Sequence, residues 1–180
     1  MGKVREAKPA KLFVSLITSE AAVLREGIED LGSAFGEIDF ISEKHPFDFT
    51  DYYAEEMGKD LYRHFITFER LLSIPAFPEV KETTHRLEEK HAFPDGKRRI
   101  NIDPGYLCLE HVILATHKGY THRPYLRKGV YADLTLIYRA GSFRPLEWTY
   151  PDYRQEEVIR LFNQFRETYL QDLRESSDRI

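Results

Sequence analysis

The chain is 180 residues long, the size of one domain with a substantial core. Its net charge of -4 argues against nonspecific nucleic-acid binding, which needs a basic face. No apolar run spans a bilayer, the basic stretch Met1 to Lys11 lacks a secretory core, and the single cysteine, Cys108, has no internal disulfide partner; these features fit a reduced, cytoplasmic setting.

Taken in order, residues 1–10 are expected to be flexible. Lys11 to Thr18 is an apolar run that reads as a central strand. Thr18 or Ser19 can cap the helix that follows, Leu24, Ile28, Leu31 and Phe35 form its apolar stripe, and Gly36 stops it. Ile38 to Ser42 reads as a second strand, so the chain opens like a βαβ unit or a ferredoxin-like fold. His45 to Gly58 is an aromatic loop holding Phe47, Phe49, Tyr52 and Tyr53, followed by the adjacent acids Glu55 and Glu56. Such a loop can close over a ligand or cover a sheet face. The segment after Leu61 is read as a strand through Phe68, and Pro78 as the first turn of a helix reaching about His91. On that helix Lys81, Thr84 and Glu88 share a face, either solvated or turned toward the polar stretch below.

The stretch from Arg98 to Tyr125 organises the rest. Ile100 and Ile102 face one way and Arg99, Asn101 and Asp103 the other, because side chains alternate across a strand. Pro104 and Gly105 are expected to end the ladder in a type II turn. His111 to Thr116 reads as a buried strand that delivers Thr116, His117 and Lys118 to a bend, and Thr121 to Tyr125 returns. Two imidazoles, an ammonium and a guanidinium this close together suit an anion. Arg127, Lys128 and Gly129 make a hairpin turn into the clearest strand of the chain, Val130 to Arg139, with Val130, Ala132, Leu134, Leu136 and Tyr138 on one core face. Asp133 and Thr135 would look into the same pocket as Arg99 and Asn101 if the two strands neighbour each other. Asp152 is read as a helix cap with Gln155 completing a capping box, and Val158, Phe162, Phe165 and Tyr169 stripe a final helix to about Glu175, leaving 176–180 to fray.

The segments EEMG (from Glu55), NIDPGYL (from Asn101), LATHK (from Leu114), HRPYL (from His122) and WTYPDY (from Trp148), with their spacing, resemble an uncharacterised bacterial family of single-domain proteins of similar length. The resemblance covers nearly the whole chain and implies a domain of unknown function, some members of which are labelled GTP-binding. No GxxxxGK[ST] phosphate loop and no GxGxxG fingerprint supports that label here. The cysteine count and the absence of HExxH argue against the usual zinc site, and no GxSxG elbow marks a serine hydrolase.

These residues point to a single α+β domain over 1–180. Its sheet should be mixed and mainly antiparallel, with a ferredoxin-like start and helices packed on one face. The leading functional expectation is a site for a small phosphate- or carboxylate-bearing molecule, with a nucleotide among the candidates. Lys118, His122 and Arg123 would hold the anion. Arg99, Asn101, Thr116 and Tyr125 would orient the ligand, and Trp148 or Tyr150 would stack on a ring. Asp103 and His122 are the candidate acid-base groups, with Asp103 also the candidate to carry a divalent ion. Whether any reaction occurs, and the oligomeric state, stay open. The alternatives are a non-catalytic RNA- or protein-binding module using the aromatic and basic edge, and a purely structural role.

Overall fold

The computed structural model describes residues 2–50 and 52–178. In chain order the elements are β1 (Lys11–Thr18), α1 (Ala21–Phe35), β2 (Ile38–Ile41), β3 (His45–Pro46), α2 (Ala54–Met57) and β4 (Tyr62–Phe68). Then come α3 (Phe77–His91), β5 (Asn101–Leu107), β6 (His111–Thr116), β7 (Tyr125–Arg127), β8 (Val130–Arg139), β9 (Ser142–Pro145) and α4 (Glu156–Asp178). The strands form one sheet in the order β2-β4-β1-β5-β6-β8-β7, with β3 added to β4 and β9 to β8, and every pairing is antiparallel. β4 lies between β1 and β2, which makes β1-α1-β2 a split unit. The run β2-β4-β1-β5, crossed by α1 and α3, is the ferredoxin-like arrangement expected from the opening. The hairpins from β6 onward extend that sheet along the β5 edge.

Helices cover both faces, where the sequence reading had placed them on one. Val14, Leu16, Ile66, Ile102 and Ile113 pack against Val23 and Leu31 of α1 and Phe77 and Val80 of α3. The alternate residues Phe13, Phe65, Leu107 and Val112 pack against Val158, Phe162, Phe165 and Tyr169 of α4. Phe162 is fully buried, with its ring edge-on to Phe13 at 4.9 Å and to Phe65 at 5.5 Å. Truncating such a side chain costs about 3–5 kcal/mol, so the α4 stripe is a large part of what holds the second face. A strand buried on both faces shows no alternation, and all eight residues of β1 are buried.

Other local expectations change. Pro104 and Gly105 make no turn; β5 runs through them in unbroken register with β1, from Lys11↔Leu107 to Ile17↔Asn101. Gly105 is needed for space instead: a Cβ there would collide with the Phe13 ring and lie 2.8 Å from the Ile113 carbonyl oxygen. β8 does not keep one core face. Its register with β6 skips Thr135, a bulge that leaves Ala132 and Leu134 on the α1/α3 side and sends Leu136 to the α4 side. Asp152 caps no helix; it sits in a 3-10 turn over Pro151–Arg154, and α4 begins at Glu156 with the Gln155 carbonyl accepting from Ile159 N–H. The helix continues to Asp178, past the expected fraying point, and residues 179 and 180 lie outside the described residues. Among the described residues no helix is long and apolar enough to cross a membrane.

Candidate functional site

The antiparallel ladder between β5 and β6 pairs only Gly105 to Leu107. Before Gly105 the two strands part. Ile102 N–H, on the open flank, is taken at 2.7 Å by Glu88 Oε1 from α3. Residue 104 shares that flank by alternation, and as a proline it has no N–H to satisfy. Lys81, two α3 turns earlier on the same face as Glu88, reaches through the opening and places Nζ 3.2 Å from Asp103 Oδ1. The polar face of α3 is thus turned inward: Lys81, Thr84 and Glu88 are all buried. This is the sharper of the two readings of that helix.

On the α4 side of the opening lies a cleft of about 430 Å³, within the roughly 300–1,000 Å³ typical of small-molecule sites. The sheet supplies its floor through Arg63 of β4, Asp103 of β5, Leu114 and Thr116 of β6 and Asp133 of β8. One wall is the aromatic loop before α2, with Phe47, Phe49, Tyr52 and Tyr53. Phe47 anchors that loop, packing with Ile17, Met57 and Leu61, and its N–H donates to Leu61 O at 2.9 Å. The other wall is Tyr150 to Tyr153. Arg154 fixes that wall by donating to the carbonyls of Leu146, Glu147 and Thr149 at 2.6–2.8 Å.

The cleft is crowded with charge, and most of it is matched. Arg63 donates to Asp152, and the two side chains are 8% and 10% exposed. The Arg63 guanidinium also lies over the rings of Phe47 (4.7 Å), Tyr153 (5.1 Å) and Phe65 (5.5 Å). Arg123 donates through Nε to Asp133 at 2.7 Å and through Nη2 to the Tyr150 hydroxyl at 2.6 Å. Glu56, Arg98, Asn101 and Asp103 form a chain: Arg98 Nε to Glu56 at 2.5 Å, Arg98 Nη1 to Asn101 Oδ1 at 3.0 Å, and Asn101 Nδ2 to Asp103 Oδ2 at 2.6 Å. Burial alone would raise the Asp103 pKa, but Lys81 and the Asn101 bond outweigh it and hold the carboxyl below its usual range. Glu88 goes the other way: burial dominates and pushes its carboxyl up. Burial likewise raises Tyr53, Tyr150 and Tyr153, so these phenols stay protonated.

Of the residues singled out from the sequence, Asp103, Thr116, Lys118 and Tyr150 line the cleft, and Asn101 and Arg123 brace it from behind. Arg99 lies elsewhere, paired bidentately with Glu20 at 3.0 and 2.5 Å across the start of α1. Tyr125 is on the exposed β7 strand with its ring against Tyr131. His122 stacks on Trp148, with ring centroids 4.8 Å apart and planes at 15°, and its Nε2 is 3.5 Å from Asp133. Trp148 is therefore occupied on one face by a neighbour, and its indole N–H donates to Leu134 O at 2.8 Å. Both Asp103 oxygens are engaged, and among the described residues no group of three or more histidines, cysteines or carboxylates comes together to hold a metal. Sequence reasoning gave Arg63 and Tyr153 no role in a site and read Asp152 only as a helix cap. A buried arginine in a strand with aromatic neighbours is the signal that pointed there.

A model of a domain of unknown function, DUF4416, matches residues 8–169. The chain belongs to this family. The expectation of a family built on a domain of unknown function is thereby established, and the family description states no activity. No curated protein and no solved structure matches the chain.

Proposed function

We propose that the cleft binds a small ring-bearing anion, a phosphate or carboxylate compound with nucleotides among the candidates. The observation that carries this is a charge left over. Asp103, Asp133, Asp152 and Glu56 each have a cation of their own in Lys81, Arg123, Arg63 and Arg98. Lys118, exposed at the mouth, pairs with no carboxylate among the described residues; it donates to the Tyr52 hydroxyl at 3.2 Å and lies 4.7 Å from that ring. One uncompensated ammonium beside an aromatic wall suits a single anionic group on a flat molecule. This shifts the anion-holding role from the trio Lys118, His122 and Arg123 to Lys118 alone.

A thermal-shift panel of nucleotides, sugar phosphates and aromatic carboxylates tests the proposal. A ligand at a hundred times its Kd stabilises by about 2.7 kcal/mol, roughly 5–10 °C for a domain of this size. Lys118→Ala should weaken binding about tenfold or more while leaving the unliganded melting point in place, since Lys118 is exposed. No response to any anion, or an Lys118→Ala protein that responds like the parent, overturns it. The second reading, an RNA- or protein-binding edge, draws on exposed Tyr120, Tyr125 and Trp148 beside the same bend. Salt-dependent retention of single-stranded RNA would favour that edge, and indifference to RNA at low salt would remove it.

A further inference from the structure

Under the cleft three buried side-chain atoms make no well-formed hydrogen bond: Arg63 Nε, the Tyr153 hydroxyl and Ser15 Oγ, the two hydroxyls having only each other within reach. They lie together. Ser15 is the β1 residue paired across the sheet with both Phe65 and Asp103, Tyr153 sits over it, and the Arg63 guanidinium is 5.1 Å from the Tyr153 ring. Their residues are 6%, 2% and 0% exposed, and Arg63 and Tyr153 both line the cleft. A buried polar group left unpaired costs about 1–3 kcal/mol, and three in one place mark a position made to receive something.

We propose that this floor is a subsite for an uncharged oxygen acceptor of the bound molecule, a ring carbonyl, and that the ligand enters carbonyl first with its anion left at Lys118. The inference rests on the reading of the cleft given above. Three observations set the chemistry. An arginine Nε–H can only donate, and the Tyr153 phenol, kept protonated by burial, is also a donor, so the partner must accept. The guanidinium charge is already matched by Asp152 and the Asp103 carboxylate by Lys81, so a further anion here would be a buried charge with no cation left to pair it. Tyr53 and Tyr150 line the cleft as well, and aromatic walls of this kind suit a planar ring.

Two probe pairs that differ in a carbonyl test this: IMP against AMP, and 4-acetylphenyl phosphate against phenyl phosphate, titrated by calorimetry up to millimolar concentration. The carbonyl member of at least one pair should bind about tenfold more tightly. Tyr153→Phe should erase that preference without lowering the melting point of the free protein, because the hydroxyl it removes makes no well-formed hydrogen bond and faces only Ser15; Ser15→Ala supplies a second variant should the first misfold. Equal binding within both pairs would overturn the floor subsite and leave the anion site at Lys118 standing. No binding by any of the four would bring down both. A Tyr153→Phe protein that melts lower yet keeps the carbonyl preference would show the hydroxyl to be a structural hydration point, and would also overturn the proposal.

Discussion

Arg63 and Asp152 hold the two walls of the cleft to its floor, and removing one partner should be expensive. Both side chains are nearly out of solvent, and the guanidinium is ringed by Phe47, Phe65 and Tyr153, none of which hydrogen-bonds to it. Asp152→Leu alone leaves that cation buried and unpaired. Breaking a buried pair from one side costs about 3–5 kcal/mol, which in a domain of this size lowers the melting point by roughly 6–20 °C. Replacing both partners with apolar groups of similar size, Arg63→Met with Asp152→Leu, removes the unpaired charge. It forfeits only the ring contacts, each worth about 0.5–1 kcal/mol or somewhat more. The double variant should therefore be more stable than either single, with a coupling of at least about 2 kcal/mol. Urea denaturation followed by circular dichroism measures all four corners of the cycle. A single variant within about 1 kcal/mol of the parent, or a double variant whose loss equals the sum of the singles, would refute the reasoning.

Two further changes test the packing around the seam. Gly105→Ala should cost about 1–3 kcal/mol in a denaturant melt, because the new methyl meets the Phe13 ring and the Ile113 carbonyl in a filled core. Glu88→Gln keeps an acceptor for Ile102 N–H but removes the buried charge. A carboxyl whose folded pKa is raised contributes its stability below the ordinary value of 4.5 and loses it as pH rises through the folded value, so the variant should melt above the parent at pH 8 and converge with it near pH 4.

What was legible in the sequence was local. Gly36 ends α1 with φ at 103°, Pro78 opens α3, and Gly129 takes φ of 73° in the hairpin turn, because these residues carry their own backbone preferences. β6 was readable to the residue as an apolar run with polar ends. The failures came where a distant partner overrode a local signal. Asp152 has the spacing of a capping residue, yet Arg63, 89 positions away, takes its carboxylate. Pro104-Gly105 has the composition of a turn, yet pairing with β1 keeps it extended. The Thr135 bulge leaves no mark in the alternation of β8, since apolar residues continue on both sides of it. The cleft was approached through the cation cluster after β6, which gave Lys118 and the bracing Arg123. The floor was hidden because Ser15, Arg63, Asp103 and Tyr153 come from four separate segments.

The seam between β5 and β6 explains why the cleft is where it is, and Pro104 tests that account. Beyond Gly105 the β5 flank has no strand beside it, and a bare strand edge inside a protein must have its donors answered. Glu88 answers Ile102, and the proline removes the next donor on that side. With both satisfied, β6 is free to diverge, and the gap it leaves admits Lys81 to Asp103 on the floor of the cleft. Pro104→Ala restores an N–H at a buried position facing the gap. That donor should cost about 1–3 kcal/mol unsatisfied, with about 0.4–1 kcal/mol more from the freer unfolded chain. The loss should appear in urea melts as a shifted midpoint with an unchanged slope. A Pro104→Ala protein as stable as the parent would mean that the new N–H finds an acceptor, and the seam would then be a closed or hydrated junction, not the opening from which the cleft is built.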